Sequence, residues 1–162
     1  MNAPLPVDVS PDPAARAARQ RAVVAALAAV LPSHALLWHG EDTVPYECDG
    51  LTAYRERPLV VALPETEAQV SGVLRACHAL GVPVVARGAG TGLSGGALPN
   101  AVGVTLALAK FNQILKLDAA SRTARVQCGV RNLAISAAAA PLGLYYAPDP
   151  SSQIACTIGG NV

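Results

Sequence analysis

Arg87 to Pro99 reads RGAGTGLSGGALP, a segment with five glycines and neither an acidic residue nor a lysine. Glycine loses more backbone entropy on folding than any other residue and adds no side chain to a core. Five glycines within nine residues therefore mark a stretch of main chain that something approaches closely. The chemistry open to such a stretch is anion binding. Successive backbone N–H groups can form a nest for phosphate oxygens, and glycines permit the positive-φ turns it needs. Thr91 and Ser94 add hydroxyl donors, and Arg87 adds positive charge nearby.

Several kinds of glycine loop compete for this segment. A Walker loop fails, because Gly90 to Gly95 is followed by Gly96 and Ala97 in place of Lys and Ser or Thr. Gly90-Thr91-Gly92-Leu93-Ser94-Gly95 does satisfy the dinucleotide fingerprint G-x-G-x-x-G, and Asp118 stands where a ribose-binding acid would be needed. That reading requires a helix to open at the third glycine. The residues that follow, GALPNAVGVTLALAK, alternate like a strand instead. A nicotinamide-binding, Rossmann-like module stays open as an alternative. So do a loop that clamps a diphosphate by itself and a glycine-rich turn with no ligand.

A second constellation lies at YYAPDPSSQIACTIGGNV, where Pro148 and Pro150 stiffen the chain and Gly159-Gly160 allows another close backbone approach. Taken alone it would pass for a surface loop; beside the first loop it points to a ligand. The remaining reactive residues form no pattern. Cys48, Cys77, Cys128 and Cys156 include no Cys-x-x-Cys and are expected as reduced cytoplasmic thiols. His34, His39 and His78 match no motif, and neither a metal cluster nor a nucleophile–base pair can be assembled.

Elements must position these loops. The chain has 162 residues, 52% of them hydrophobic and 14% charged, which suits one globular domain. A net charge of +1 and 4% aromatics argue against nucleic acid, and no apolar run is long enough to span a bilayer. Helical spacing from Ala14 to Leu31, with Pro11 and Pro13 before it, predicts an amphipathic helix in preference to a secretory signal. Leu59–Pro64 reads as a buried strand, Glu65–Gly81 as a helix and Val82–Arg87 as a second strand, together a βαβ unit. AVGVTLALAK and QILKLDAASRTARVQCGV read as two or three strands with antiparallel pairing. Arg131–Gly143 reads as a helix that Asn132 would cap.

These residues resemble a known family. VPVVARGAGTGLSGGALP is similar to the pyrophosphate loop of FAD-linked oxidases with the vanillyl-alcohol-oxidase, or PCMH-type, flavin fold. The similarity is greatest to their glycolate oxidase D-subunit, D-lactate and D-2-hydroxyacid dehydrogenase branch. RPLVVALPETEAQVSGVLRACHALGVPVV resembles the family's opening βαβ unit, and YYAPDPSSQIACTIGGNV its second flavin segment. The resemblance implies an α+β fold: a lead-in over residues 1–54, then a flavin domain over residues 55–162 built of a βαβ unit, a mainly antiparallel sheet and a helix.

It further implies that Arg87, Gly88, Ala89, Gly90, Thr91, Gly92, Leu93, Ser94 and Gly95 surround the FAD diphosphate. Pro148, Asp149, Ser151 and Ser152 would line the path to the flavin and ribityl chain. Thr157, Ile158, Gly159, Gly160 and Asn161 would lie beside the ring system or diphosphate. Members that bond flavin covalently from this loop have histidine where Thr91 stands, so non-covalent FAD is expected. The implied parent reaction is oxidation of a small 2-hydroxy acid by hydride transfer to flavin, with partner subunits of an oxidase complex. The resemblance also implies that the chain breaks off before the substrate domain, carries no catalytic residue and is inactive alone.

Overall fold

The computed structural model describes residues 12–161. Helix α1 (Pro13–Ala28) opens on Asp12, whose Oδ1 accepts from the Ala14 N–H at 2.9 Å, with Pro13 in the first turn, where its missing N–H costs nothing. The two-residue strand β1 (Leu36–Leu37) follows, then a polar stretch of turns, β2 (Val60–Ala62), α2 (Glu67–Ala79) and β3 (Val84–Arg87). After the glycine-rich segment come β4 (Val104–Ala107), β5 (Ile114–Asp118), β6 (Thr123–Val126), α3 (Asn132–Ala139) and a single turn, α4 (Ile158–Asn161).

The expected elements are present, with sharper ends. Thr66 and Gln69 form a capping box at the start of α2. Thr66 Oγ1 accepts from the Gln69 N–H at 3.2 Å and Gln69 Oε1 from the Thr66 N–H at 3.3 Å. Gly81 closes the same helix at φ +60. The helix expected over Arg131–Gly143 runs as α3, continues as a 3₁₀ turn over Ala140–Leu142 and stops at Gly143. Asn132 does not cap it: Arg131 is the N-cap residue, and Asn132 lies in the first turn with its side chain committed elsewhere.

Strand pairing departs from expectation at β4. The four-stranded sheet has the order β1-β2-β4-β3. β4 pairs in parallel with both β2 and β3, with Thr105 opposite Val61 on one side and Val85 on the other. The apparent alternation in AVGVTLALAK misleads because all four β4 residues are buried, as befits a central parallel strand covered on both faces. The βαβ unit therefore leaves a gap between its strands, and the chain returns through the glycine-rich segment to fill it. Among the strands of the described residues, antiparallel pairing occurs at β1 on β2 and in the β5–β6 hairpin, with one isolated antiparallel bridge between Arg131 and Thr157.

One core joins the lead-in to the sheet. Val23, Leu27 and Leu31 pack with Leu36, Leu59, Val60, Val73, Cys77 and Val104. Gln20 Nε2 ties α1 to the β2 edge through the carbonyls of Leu59 (2.7 Å) and Trp38 (3.1 Å). Burial pushes the Cys77 thiol above its usual pKa. Among the described residues no helix is long and apolar enough to cross a membrane.

The turn after α1 meets α2 where Gly72 faces Val30. A Cβ built on Gly72 would lie 2.5 Å from Val30 Cγ1. Replacing glycine by alanine in an exposed helix interior gains about 1 kcal/mol. Here the overlap reverses the sign, because a branched side chain has few rotamers into which to retreat. Gly72→Ala is expected to lower Tm by a few degrees, and adding Val30→Ala to restore it. A Gly72→Ala single variant that melts higher than wild type would show that this contact yields freely.

Candidate cofactor-binding site

At the carboxyl end of β3 the Arg87 carbonyl still accepts from the Leu108 N–H at 2.9 Å, and the chain then leaves the sheet. From residue 88 to 103 it follows bends and turns without a helix. Among the described residues, the backbone N–H groups from Gly88 to Ala97 find no hydrogen-bond partner in the protein. Unpaired main-chain donors in such a row are uncommon, since folded chains satisfy nearly all of them internally or with water. A row of free N–H donors is the arrangement that a backbone nest for an anion requires.

The glycines of this loop divide by function. Gly90 (φ +72) and Gly95 (φ +75) hold left-handed turns. Gly88 and Gly90 also admit neighbours: a Cβ at Gly88 would strike Thr157 Oγ1, and one at Gly90 the Arg87 guanidinium. Gly92 and Gly96 have ordinary φ, and a Cβ on either would meet nothing within 4 Å. Their side of the loop is open space.

Arg87 is 8% exposed and points back beneath its own loop. Nη1 donates to the Cys48 carbonyl at 2.7 Å and to the Ala97 carbonyl at 3.5 Å. The guanidinium carbon stands 5.6 Å from the centre of the Tyr46 ring, in cation–π range. One side chain thus joins the lead-in segment to both ends of the loop. Gly50 seals the same contact, since a Cβ there would come within 2.7 Å of the Thr91 carbonyl oxygen and 2.8 Å of that of Gly92.

The second loop is built around Asn132, which is 1% exposed. Asn132 Nδ2 donates to the Pro148 carbonyl at 2.9 Å, its Oδ1 accepts from Asn161 Nδ2 at 3.2 Å, and its backbone N–H donates to the Cys156 carbonyl at 3.0 Å. Thr157 bridges to Arg131. The N–H groups of Ile158 and Gly159 donate to the carbonyls of Val130 and Cys128, each at 2.9 Å. Gly159 is small because of the protein: a Cβ there would lie 2.7 Å from Cys128 Cβ. Gly160 remains open.

Between the two loops lies a cleft of about 520 Å³. Arg87, Gly88, Ala89, Gly90, Thr91, Gly92 and Ser94 line it from the first loop, and Ser152, Thr157, Gly159, Gly160 and Asn161 from the second. Leu93, Gly95, Pro148, Asp149, Ser151 and Ile158 do not line it. Leu93 is 71% exposed, Pro148 is engaged by Asn132, and Ile158 faces a smaller cavity between α3 and the hairpin. The cleft adds Asp49, Ala86, Gly96, Ala97, Leu108, Cys128 and Cys156 to the residues picked out from the sequence. Gly96 and Ala97 merely extend the glycine segment, whereas Asp49 had no local pattern to reveal it.

Asp118 settles the dinucleotide fingerprint. It lies on the β5–β6 hairpin, away from the cleft, and no helix follows the third glycine. Its carboxyl is held below its usual pKa first by the Ser121 N–H at 3.1 Å, then by the Lys116 ammonium at 3.2 Å. A Rossmann site needs a helix N-terminus at the pyrophosphate, and this loop has none. What it offers is a row of free donors, an open face and two buried side-chain oxygens without partners, Asp49 Oδ2 and Thr157 Oγ1. That set fits a polar dinucleotide with a diphosphate at its centre.

Residues 58–162 match the family described as FAD binding domain. The chain belongs to that family. The FAD-binding chain is 61% identical over 140 residues to the glycolate oxidase subunit GlcD of Escherichia coli strain K12, covering 86% of this chain and 28% of that relative. It is 34% identical over 139 residues to the D-2-hydroxyglutarate dehydrogenase of Xanthomonas citri, covering 86% of this chain and 29% of the other. Its backbone superposes on p-cresol methylhydroxylase with a TM-score of 0.69 at 24% identity, over 78% of this chain and 25% of that one. The α+β, PCMH-type fold is that of these flavin proteins. The chain spans less than a third of the length of each.

Asn132 carries the second loop of this FAD-binding fold. Asn132→Ala removes both side-chain bonds and strands the Pro148 carbonyl, at a cost of about 2–3 kcal/mol. Chemical denaturation is expected to register that loss, and proteolysis to cut residues 145–161 sooner. Unchanged stability with unchanged protection would show that the loop is held by its backbone bonds alone.

Proposed function

We propose that the chain is the FAD-binding part of a flavin-dependent oxidoreductase acting on a small 2-hydroxy acid. The observation that carries this reading is the row of unpaired N–H groups along Gly88–Ala97, a segment most of whose residues line a cleft that the second loop completes. The diphosphate lies over the open side of the first loop, at Gly92 and Gly96, where a dipole-lined concavity without side chains accepts two negative groups. Around it we place Arg87, Gly88, Ala89, Gly90, Thr91, Leu93, Ser94 and Gly95. Arg87 contributes its charge from beneath the loop while its hydrogen bonds fix the loop's shape. Ser152, Thr157, Gly160 and Asn161 meet the remainder of the cofactor, with Pro148, Asp149, Ser151, Ile158 and Gly159 shaping their backbone.

Bound FAD supplies a two-electron acceptor for oxidation of the substrate's hydroxyl-bearing carbon. The 2-hydroxy acid class rests on the names of the relatives, a glycolate oxidase subunit and a D-2-hydroxyglutarate dehydrogenase. The word subunit in the first of them supports partner chains in an oxidase complex. We place the protein in the cytoplasm, in keeping with four unpaired cysteines. Residues 1–54 are the lead-in, of which Val23, Leu27, Leu31, Ala35 and Leu36 join the core, and residues 55–162 hold the cofactor. Thr91 stands at the position from which a histidine would bond flavin, so the FAD is non-covalent and should be released by acid precipitation.

A ligand that binds only the native state raises its melting temperature. FAD is expected to raise Tm where NAD does not; stabilisation by NAD alone would reverse the assignment. Two glycine variants locate the clamp. Gly92→Val is expected to melt like wild type yet lose the FAD-induced shift, because its side chain projects into the open cleft. Gly90→Val is expected to lose about 1–2 kcal/mol of stability from its left-handed φ, with the Arg87 overlap adding to it. A Gly92→Val protein that keeps the full FAD shift would place the diphosphate elsewhere.

A further inference from the structure

Asp49 belongs to no sequence motif, yet its surroundings are those of a ligand-binding carboxylate. The residue is 4% exposed and lines the cleft. Oδ1 accepts from the Leu51 N–H at 2.9 Å, closing a local turn, while Oδ2 has no partner. Four buried side-chain atoms lack partners among the described residues. Arg19 Nε lies on α1 and Thr105 Oγ1 on the central strand; the other two, Asp49 Oδ2 and Thr157 Oγ1, both belong to residues that line this cleft. An unsatisfied buried oxygen of a charged group is costly, and the cleft is where a donor can reach it.

The chemistry of that donor is restricted. A carboxylate only accepts hydrogen bonds, so it cannot meet phosphate oxygens, which are acceptors of the same sign. The residue after Asp49 nevertheless packs against the carbonyls of Thr91 and Gly92, within the loop assigned to the diphosphate. The donors that lie within a few bonds of a diphosphate in FAD are the hydroxyls of the sugar units flanking it. We propose that Asp49 is a cofactor-binding and orienting residue, its Oδ2 accepting an O–H from a sugar unit adjacent to the diphosphate. Repulsion at the diphosphate and attraction at the hydroxyl together fix the direction in which the dinucleotide lies. This inference rests on the FAD reading above.

Asp49→Asn and Asp49→Ser test it. Either side chain keeps one oxygen for the Leu51 N–H and so preserves the turn, but neither has a second acceptor oxygen. Binding of FAD, ADP and FMN is measured by thermal shift and by quenching of flavin fluorescence, alongside the ligand-free Tm. Both variants are expected to melt near wild type and to bind FAD about 10- to 100-fold more weakly, the value of one hydrogen bond to a charged group. A matching loss for ADP places the bond on the ribose, and one for FMN places it on the ribityl chain. FAD affinity equal to or tighter than wild type in either folded variant overturns the proposal, since removing a purely structural carboxylate beside a diphosphate relieves repulsion. Wild-type protein that binds no FAD at all overturns the FAD reading and this inference with it.

Discussion

A loop whose N–H groups from Gly88 to Ala97 have no partner in the protein cannot hold its own shape, since the Leu98 N–H to Gly95 carbonyl bond at 3.1 Å is its one internal main-chain tie among the described residues. In this protein the task falls to Arg87. Its guanidinium reaches the carbonyls of Cys48 and Ala97 and lies against the Tyr46 ring, so the start of the loop, its far end and the lead-in segment are fixed by one buried group. A buried arginine needs partners for its donors, and both carbonyls accept from its Nη1. Gly90 is the counterpart of this arrangement, since any side chain there would occupy the guanidinium's place. The charge that we propose for anion binding is thus the same charge that shapes the loop.

The sheet supplies the rigid frame. Because β4 enters between β2 and β3, the glycine-rich segment must cross from the end of one parallel strand to the start of its neighbour. Such crossings usually carry a helix. Here the segment carries glycines, so donors that a helix would have consumed internally stay available. Ligands of open α/β sheets gather at the carboxyl ends of strands, and this loop leaves β3 at that end.

The other wall depends on a polar residue inside the core. Asn132 satisfies an orphan carbonyl at Pro148, an amide at Asn161 and, through its own N–H, the Cys156 carbonyl. The first turn of α3 is satisfied by the second loop: the Leu133 N–H donates to the Gln153 carbonyl at 3.1 Å. A helix end that needs acceptors and a loop that needs donors solve each other's problem. The two walls meet where Gly88 lies against Thr157.

Much of this was legible in the residues themselves. The hydrophobic spacing of α1 and α2, the glycine at the end of α2 and the glycine-rich loop of Arg87–Pro99 all follow from local rules, because helix periodicity and glycine content are properties of short windows. The two flavin segments were recognisable for the same reason. What local patterns did not contain was anything that depends on a partner distant in the chain. Four consecutive buried residues in β4 look the same whether their neighbours run parallel or antiparallel, so its pairing awaited the sheet. Asn132 has the side chain of a helix cap, and only the position of Pro148 and Asn161 diverts it. Asp49 is an ordinary acid in a polar stretch until Arg87 draws the lead-in against the glycine loop. The sequence determined where a loop rich in glycine would stand; the tertiary structure decided which of its glycines stay open and which distant carboxylate lines the same cleft, because those depend on contacts that form only when the chain closes on itself.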